Sequence, residues 1–171
     1  MSDFDKYPKM WMVRAGNESF LVEYFIKYNI VAVGWDVPNL KNMTKDKIFF
    51  LIEYQYEYKK PATRTRYTNQ LIAFFNEICI GDYVLTYNRY SKDYYLGIIC
   101  SDYYFNEDII PLSHPYYDFS FYAHIRDVKW ITKFKRNEVD ERYRKKLNNF
   151  STVFKIKDEL KENILQITGE I

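Results

Sequence analysis

The side chains best placed to hold a ligand are Trp35 and Asp36, which follow the apolar run Ile30-Val31-Ala32-Val33-Gly34. An indole beside a carboxylate joins a flat stacking surface to a hydrogen-bond acceptor. Those are the two functions needed to grip a nucleobase by face and by edge. Core packing of Trp35 is the competing reading, since a tryptophan after a core strand commonly packs inward. Arg14 and Asn17 flank a turn after the apolar stretch 10–15 and offer polar contacts. Tyr117 and Phe119, in an aromatic loop at 116–119, offer further ring faces. If these three stretches meet at one barrel mouth, their rings would sandwich an unstacked base. A methylated base suits such a cage, because its methyl group is apolar and unstacking costs about a few kcal/mol.

A second set of residues has the chemistry of phosphate contacts. Arg64 and Arg66 fall in the basic connection 59–66 ahead of a helix, where guanidinium and free helix N–H groups can meet an anion. Arg89 and Lys92 fall at the tip of a hairpin. In the segment 129–146, which includes Lys133 and Arg136, basic residues outnumber acidic ones and alternate with Trp130, Phe134 and Tyr143. That pattern fits a nucleic-acid groove, and it equally fits a solvated helix face.

Catalytic chemistry has less support. Gly-x-Ser-x-Gly, Gly-rich phosphate loops and His-Glu-x-x-His are all missing from the sequence. Of the two histidines, His114 lies in the aromatic loop, and His124 alternates with aromatics on a strand and reads as a satisfied barrel residue. Asp158-Glu159-Leu160-Lys161 has the Glu-x-Lys spacing of some nucleases, but in a helix-like tail rather than on a strand beside a metal-binding Asp. Cys79 and Cys100 form no CxxC and read as buried thiols in a reducing compartment. The expectation is a binding domain with no catalytic residue, metal or cofactor. With no signal peptide and no apolar run of membrane length, a cytoplasmic protein without a membrane partner is expected.

The elements that must position these residues follow from periodicity. Strands are expected at 10–15 and 30–35, joined by a helix at 19–28 that Asn17 or Ser19 caps. Helices at 45–58, capped by Thr44, and at 67–79 come next. A hairpin pairs 83–88 with 94–102, a long loop spans 103–120, and a strand covers 121–131. A charged helix at 137–149, a short strand at 152–156 and a terminal helix at 157–167 complete the chain. This is a mixed α+β pattern, a small barrel of five to six strands decorated by helices. At 171 residues it is one domain: a lead-in at 1–9, a barrel at 10–156 and a C-terminal helix at 157–171 leading to a linker. Aromatic residues make up 20% of the chain, with 18 Tyr and 13 Phe, more than a small core needs. Half-buried tyrosines suit base stacking and protein contacts alike, and an AT-rich genome would also raise their number. The net charge of +2 means that nucleic-acid binding requires a local basic patch.

Five stretches together resemble the EVE-like domains of the PUA superfamily. They are Met-Trp-Met-Val-Arg-Ala-Gly at 10–16, Ile-Val-Ala-Val-Gly-Trp at 30–35, Phe-Asn-Glu-Ile-Cys-Ile-Gly-Asp-Tyr-Val-Leu-Thr-Tyr at 75–87, Ile-Arg-Asp-Val-Lys-Trp at 125–130 and Phe-Ser-Thr-Val-Phe at 150–154. The most similar versions head modification-dependent restriction proteins of the McrB and Mrr type, and YTH readers of methyladenine are distant relatives. The resemblance implies a PUA-like barrel that reads a modified DNA base without catalysis. Trp35, Tyr117 and Phe119 would be cage walls, and Arg14 and Asn17 polar contacts. The loop departs from the YTH pattern in having no Trp. In McrB proteins a ring-forming GTPase motor follows this domain and a partner nuclease joins it. No Walker motif appears here, so the expectation is an excised N-terminal domain or a stand-alone reader, and the end at Gly169-Glu170-Ile171 fits a linker. An RNA-binding PUA-like module and a protein-interaction domain are the alternatives.

Overall fold

The computed structural model describes residues 8–110 and 122–171. The elements run β1 (Met10–Val13), α1 (Val22–Tyr28), β2 (Ile30–Val33), α2 (Lys45–Gln55), α3 (Pro61–Ile72), β3 (Tyr83–Asn88), β4 (Asp93–Ile99), β5 (Tyr104–Phe105), β6 (His124–Lys135), α4 (Glu141–Arg144), β7 (Val153–Ile156) and α5 (Asp158–Thr168). The seven strands form one sheet in the order β2-β6-β4-β3-β1-β7, with β5 also on β6. The sheet curls into a half-barrel decorated by helices, the mixed α+β class the sequence predicts. Pairing is antiparallel except between β1 and β3, where Trp11 sits opposite Val84.

The curl originates on β6. Its first half pairs with β2 and β5, and its second half with β4. Opposite β4 the register slips between Leu96 and Gly97, whose partners are Thr132 and Trp130. The extra residue is a β-bulge, which bends the strand and steepens its twist. Gly97 is required there, because a Cβ would lie 2.4 Å from Val128 Cγ1 and 2.9 Å from the Trp130 ring.

Burial divides between two faces. One face packs Trp11, Val84 and the β2 residues against Phe25 of α1, Ile48 and Ile52 of α2, and Leu71 and Phe74. The other packs Met10, Met12, Leu85 and Phe134 under Leu160, Ile164 and Leu165 of α5. The Val84-Leu85-Thr86 run is buried on both sides, so β3 shows no alternation. Each fully buried Phe or Leu stabilises the fold by about 1.5–3 kcal/mol.

Several expected boundaries move, each for a local reason. Pro61 starts α3 rather than breaking it, since a proline at the first helical position loses no bond. The 59–66 segment therefore provides the opening turn and a half of α3 and is not a free connection. α3 ends in a π-helical turn at Ala73–Glu77. Neither Asn17 nor Ser19 caps α1; the Ser19 hydroxyl accepts from the Arg89 amide instead. Thr44 does cap α2, accepting from the Lys47 amide. The charged helix expected at 137–149 is three short pieces, because Asp140 starts a new turn. Cys79 and Cys100 are exposed, contrary to expectation: Cys79 follows the turn that leaves α3, and Cys100 comes one residue after the buried end of β4.

Candidate functional site

The C-terminal ends of β1 and β2 open side by side onto a cleft of about 300 Å³. The segment after β1 supplies Arg14, Gly16 and Asn17, and the segment after β2 supplies Gly34 and Trp35. Tyr56 follows α2, Tyr67 lies midway along α3, Tyr122 precedes β6, and Phe150 and Thr152 lead into β7. The rings pack at steep angles to one another. Trp35 and Tyr67 have centroids 5.8 Å apart at 56°, and Tyr67 meets Tyr56 at 5.3 Å and 78°. Trp35 is both core and wall: only 7% of it is accessible, and that part faces the cleft. Gly34 is a close-approach position, since a Cβ there would lie 2.7 Å from the Tyr122 ring. Gly16 has φ 71°, and Phe20 lies so close that a Cβ would meet its ring at 2.3 Å. Phe20 and Tyr122 touch edge to face at 5.7 Å, joining the two glycine-backed walls.

Asp36 is exposed beside the cleft rather than in it. Its amide donates to the Tyr56 hydroxyl at 2.8 Å, and its carboxylate accepts from Gln55 at 2.9 Å. Burial pushes the Tyr56 hydroxyl up to about 12, so it stays neutral and donates as well as accepts.

Behind the wall stands His124, bonded at both ring nitrogens. Nε2 lies 3.1 Å from the carbonyls of Trp35 and of Val37, and Nδ1 lies 2.8 Å from the Tyr103 hydroxyl. The two carbonyls require a proton on Nε2, so Nδ1 accepts from Tyr103. Tyr103 in turn accepts from the Leu40 amide. Burial pushes the ring down to about 4, which keeps it neutral. This is a strut fixing the chain at 35–37, not a free base.

The opposite rim, 147–153, is clamped from two sides. Arg14 donates through Nε to Ser151 O and through Nη2 to Leu147 O and Asn149 O, while its amide bonds Thr152 O. Burial lowers the Arg14 pKa from its ordinary value, yet the guanidinium stays charged at the cleft wall. Gln70, buried on α3, accepts from the amides of Thr152 at 2.6 Å and Val153 at 3.0 Å. Phe150, on this clamped rim, is 98% exposed.

The basic residues are dispersed. Arg64 donates to Glu53 at 2.7 Å and to the carbonyls of Glu57 and Lys59, so it staples the α2–α3 turn and is not offered to an anion. Arg66 is exposed on α3 beside Tyr67. Arg89 lines a second cleft of about 640 Å³, which shares Arg14, Gly16, Asn17 and Phe150 with the first. Its ion pair to Glu18, 2.9 Å, is exposed and readily exchanged. Lys92 and Arg136 meet in a third cleft of about 340 Å³ with Lys135 and Arg144. Lys133 stands apart, exposed on β6 opposite Tyr95. Interleaving of charges with aromatics along 129–146 does not make a stacking surface: Phe134 is buried, Trp130 donates to Phe25 O, and Tyr143 lies beneath Arg142 and Lys146.

Arg14, Asn17 and Trp35 thus line one cleft, while Tyr117 and Phe119 lie outside the described residues. Sequence reasoning missed Tyr56, Tyr67, Tyr122 and Phe150 as wall residues. Tyr56 and Tyr67 carried no signal beyond the apolar face of a helix. Gly34 next to Trp35 was the one clue that a ring lies against this strand end. A larger cleft of about 620 Å³ lies elsewhere, bordered by Phe75, Tyr103 and Phe105. Of its two cations, Lys41 and Arg126, the arginine is spent on the carbonyls of Phe74, Phe75 and Ser101. No cluster of metal-ligating side chains occurs among the described residues. No helix among them is long and apolar enough to cross a membrane.

Among solved structures, the chain is similar to a hypothetical protein from Leishmania major, at 15% identity and a TM-score of 0.49, covering 96% of this chain and 97% of that one. It is also similar to the MmI1 YTH domain, at 11% identity and a TM-score of 0.45, covering 95% and 96%. No curated protein matches the chain in sequence. One family model, described as a domain of unknown function, spans residues 9–157, from the lead-in of β1 to the end of β7, and the chain belongs to that family, DUF8426.

Proposed function

We propose that this domain is a non-catalytic nucleic-acid reader that takes one unstacked base into the cleft between Trp35, Tyr56, Tyr67 and Tyr122. The observation carrying this reading is the cleft itself: a ring-walled slot of about 300 Å³ whose polar edge is Arg14, Asn17 and Thr152. Its size is at the lower end for small-molecule sites, and its lining joins apolar faces to a few polar groups, as base recognition requires. The adjoining cleft with Arg89 and the basic cleft with Lys92 and Arg136 supply positive charge for a backbone leaving the base site. Resemblance to EVE-like and McrB-type domains supports a modified, methylated DNA base as the ligand. A ring-forming GTPase motor and a nuclease would then act with this domain.

The test is a binding panel of matched oligonucleotides carrying methyladenine, methylcytosine or no modification, as DNA and as RNA. The reading expects tighter binding to one modified DNA and affinity that falls with salt. Tighter binding to RNA moves the assignment to an RNA reader. Equal binding to all, unchanged by loss of a cleft ring, refutes it. A protein contact is the second reading, favoured by Phe50 and Tyr54 on α2, which are 69% and 82% exposed. Self-association without any nucleic-acid binding would support it.

A further inference from the structure

We infer that Phe150 is a preset stacking platform for the nucleotide base that flanks the one held in the cleft; this rests on the base-reading assignment above. A phenylalanine exposed to 98% gains nothing from folding. Such a residue normally sits on a segment free to move, but this one does not. The backbone on either side of it is held by Arg14, through bonds to Leu147, Asn149, Ser151 and Thr152, and by Gln70, through the amides of Thr152 and Val153. The Ser151 amide also bonds the Asn149 side chain at 2.9 Å. A partly buried arginine and a buried glutamine are therefore committed to fixing a short loop that presents an almost fully exposed ring.

The position of that ring points to its occupant. Phe150 lines both the base cleft and the neighbouring cleft that contains Tyr87 and Arg89. A chain with one base in the first cleft must carry its next phosphate and base across this boundary. The ring meets that base at its face, and Arg89 lies beside the phosphate. Base–aromatic stacking tolerates any sequence, so Phe150 adds affinity and holds the flanking base away from the stack that the read base left. Its rigid mounting means that little ordering is needed when the nucleic acid arrives.

The experiment is a double-mutant cycle across the interface. Wild type and Phe150→Ala are each titrated with the best oligonucleotide from the binding panel and with versions lacking the base immediately 5′ or immediately 3′ of the read position. Because the ring is solvent-exposed, Phe150→Ala should keep wild-type thermal stability, and Phe150→Trp should keep wild-type affinity. The inference expects Phe150→Ala to weaken binding about 10-fold or more on the intact oligonucleotide. It expects the same loss for wild type on one of the two abasic versions, and no further loss when both changes are combined. Additive losses, or Phe150→Ala binding as tightly as wild type, overturn the platform while leaving base reading intact if Tyr67→Leu still abolishes the preference for modification. Absence of any nucleic-acid binding by wild type overturns both.

Discussion

Protonation of His124 is the sharpest test of how the cleft wall is held. The neutral ring donates from Nε2 to the carbonyls of Trp35 and Val37 and accepts at Nδ1 from Tyr103. A proton on Nδ1 would strip the Tyr103 hydroxyl of its acceptor and place a charge in the core. Burial holds the pKa at about 4, whereas the unfolded chain titrates near 6.5. The unfolded state therefore binds the proton first as pH falls. The contribution of the neutral ring is complete above pH ~6.5 and is lost progressively towards pH ~4, at about 1.4 kcal/mol per unit. The full loss is about 3 kcal/mol, a large fraction of a typical domain stability. The assay is urea denaturation of wild type and His124→Gln at several pH values from 7.5 to 4. Carboxylates titrate in both proteins, so the difference between the two stabilities isolates the histidine. That difference should shrink by about 3 kcal/mol over the range. A difference independent of pH, or a His124 titration by NMR near 6.5, would refute the strut.

Three further outcomes follow from the same geometry. Gly34→Ala places a methyl 2.7 Å from the Tyr122 ring, so denaturation should show a loss of about 1–3 kcal/mol, largely recovered in a Gly34→Ala/Tyr122→Leu double variant. Gln70→Leu leaves the Thr152 and Val153 amides without their acceptor, with an expected cost of about 2–4 kcal/mol by denaturation and faster amide exchange at those two residues. Arg89→Ala and Lys92→Ala should each reduce the slope of log affinity against log salt by about 1, whereas Arg64→Ala, whose guanidinium is bonded to Glu53, should leave the slope unchanged.

Local signals made six of the seven strands and one half of the site legible, while β5 fell inside the expected loop 103–120. The run Ile30–Val33 is too short for a helix, and Gly34 followed by Trp35 marks its end, so β2 and its aromatic terminus emerge from the sequence alone. The turn after β1 was equally visible at Gly16-Asn17. What could not be read was what long-range pairing delivers. Phe150 reaches the cleft only because Arg14 and Gln70, remote in sequence, bond the loop around it. Tyr56 and Tyr67 face the cleft because Pro61 starts a helix at once and folds α3 back on α2. Basic residues were misjudged for a related reason: sequence shows their charge but not the carbonyls that Arg64 and Arg144 satisfy. The cysteines were misplaced because apolar neighbours on a strand or helix do not reveal where the element stops.

The central claim is that the ring-walled cleft reads a base, and Tyr67 is the wall to remove. It packs against both Trp35 and Tyr56 yet lies at the edge of the core, so Tyr67→Leu keeps apolar contact while deleting a ring face. The decisive measurement is the ratio of affinities for modified and unmodified DNA of identical sequence, in wild type and in Tyr67→Leu. The account predicts a preference for modified DNA in wild type that collapses towards unity in the variant, with unmodified binding changed little. An equal ratio in the two proteins, or no preference in wild type, would contradict it.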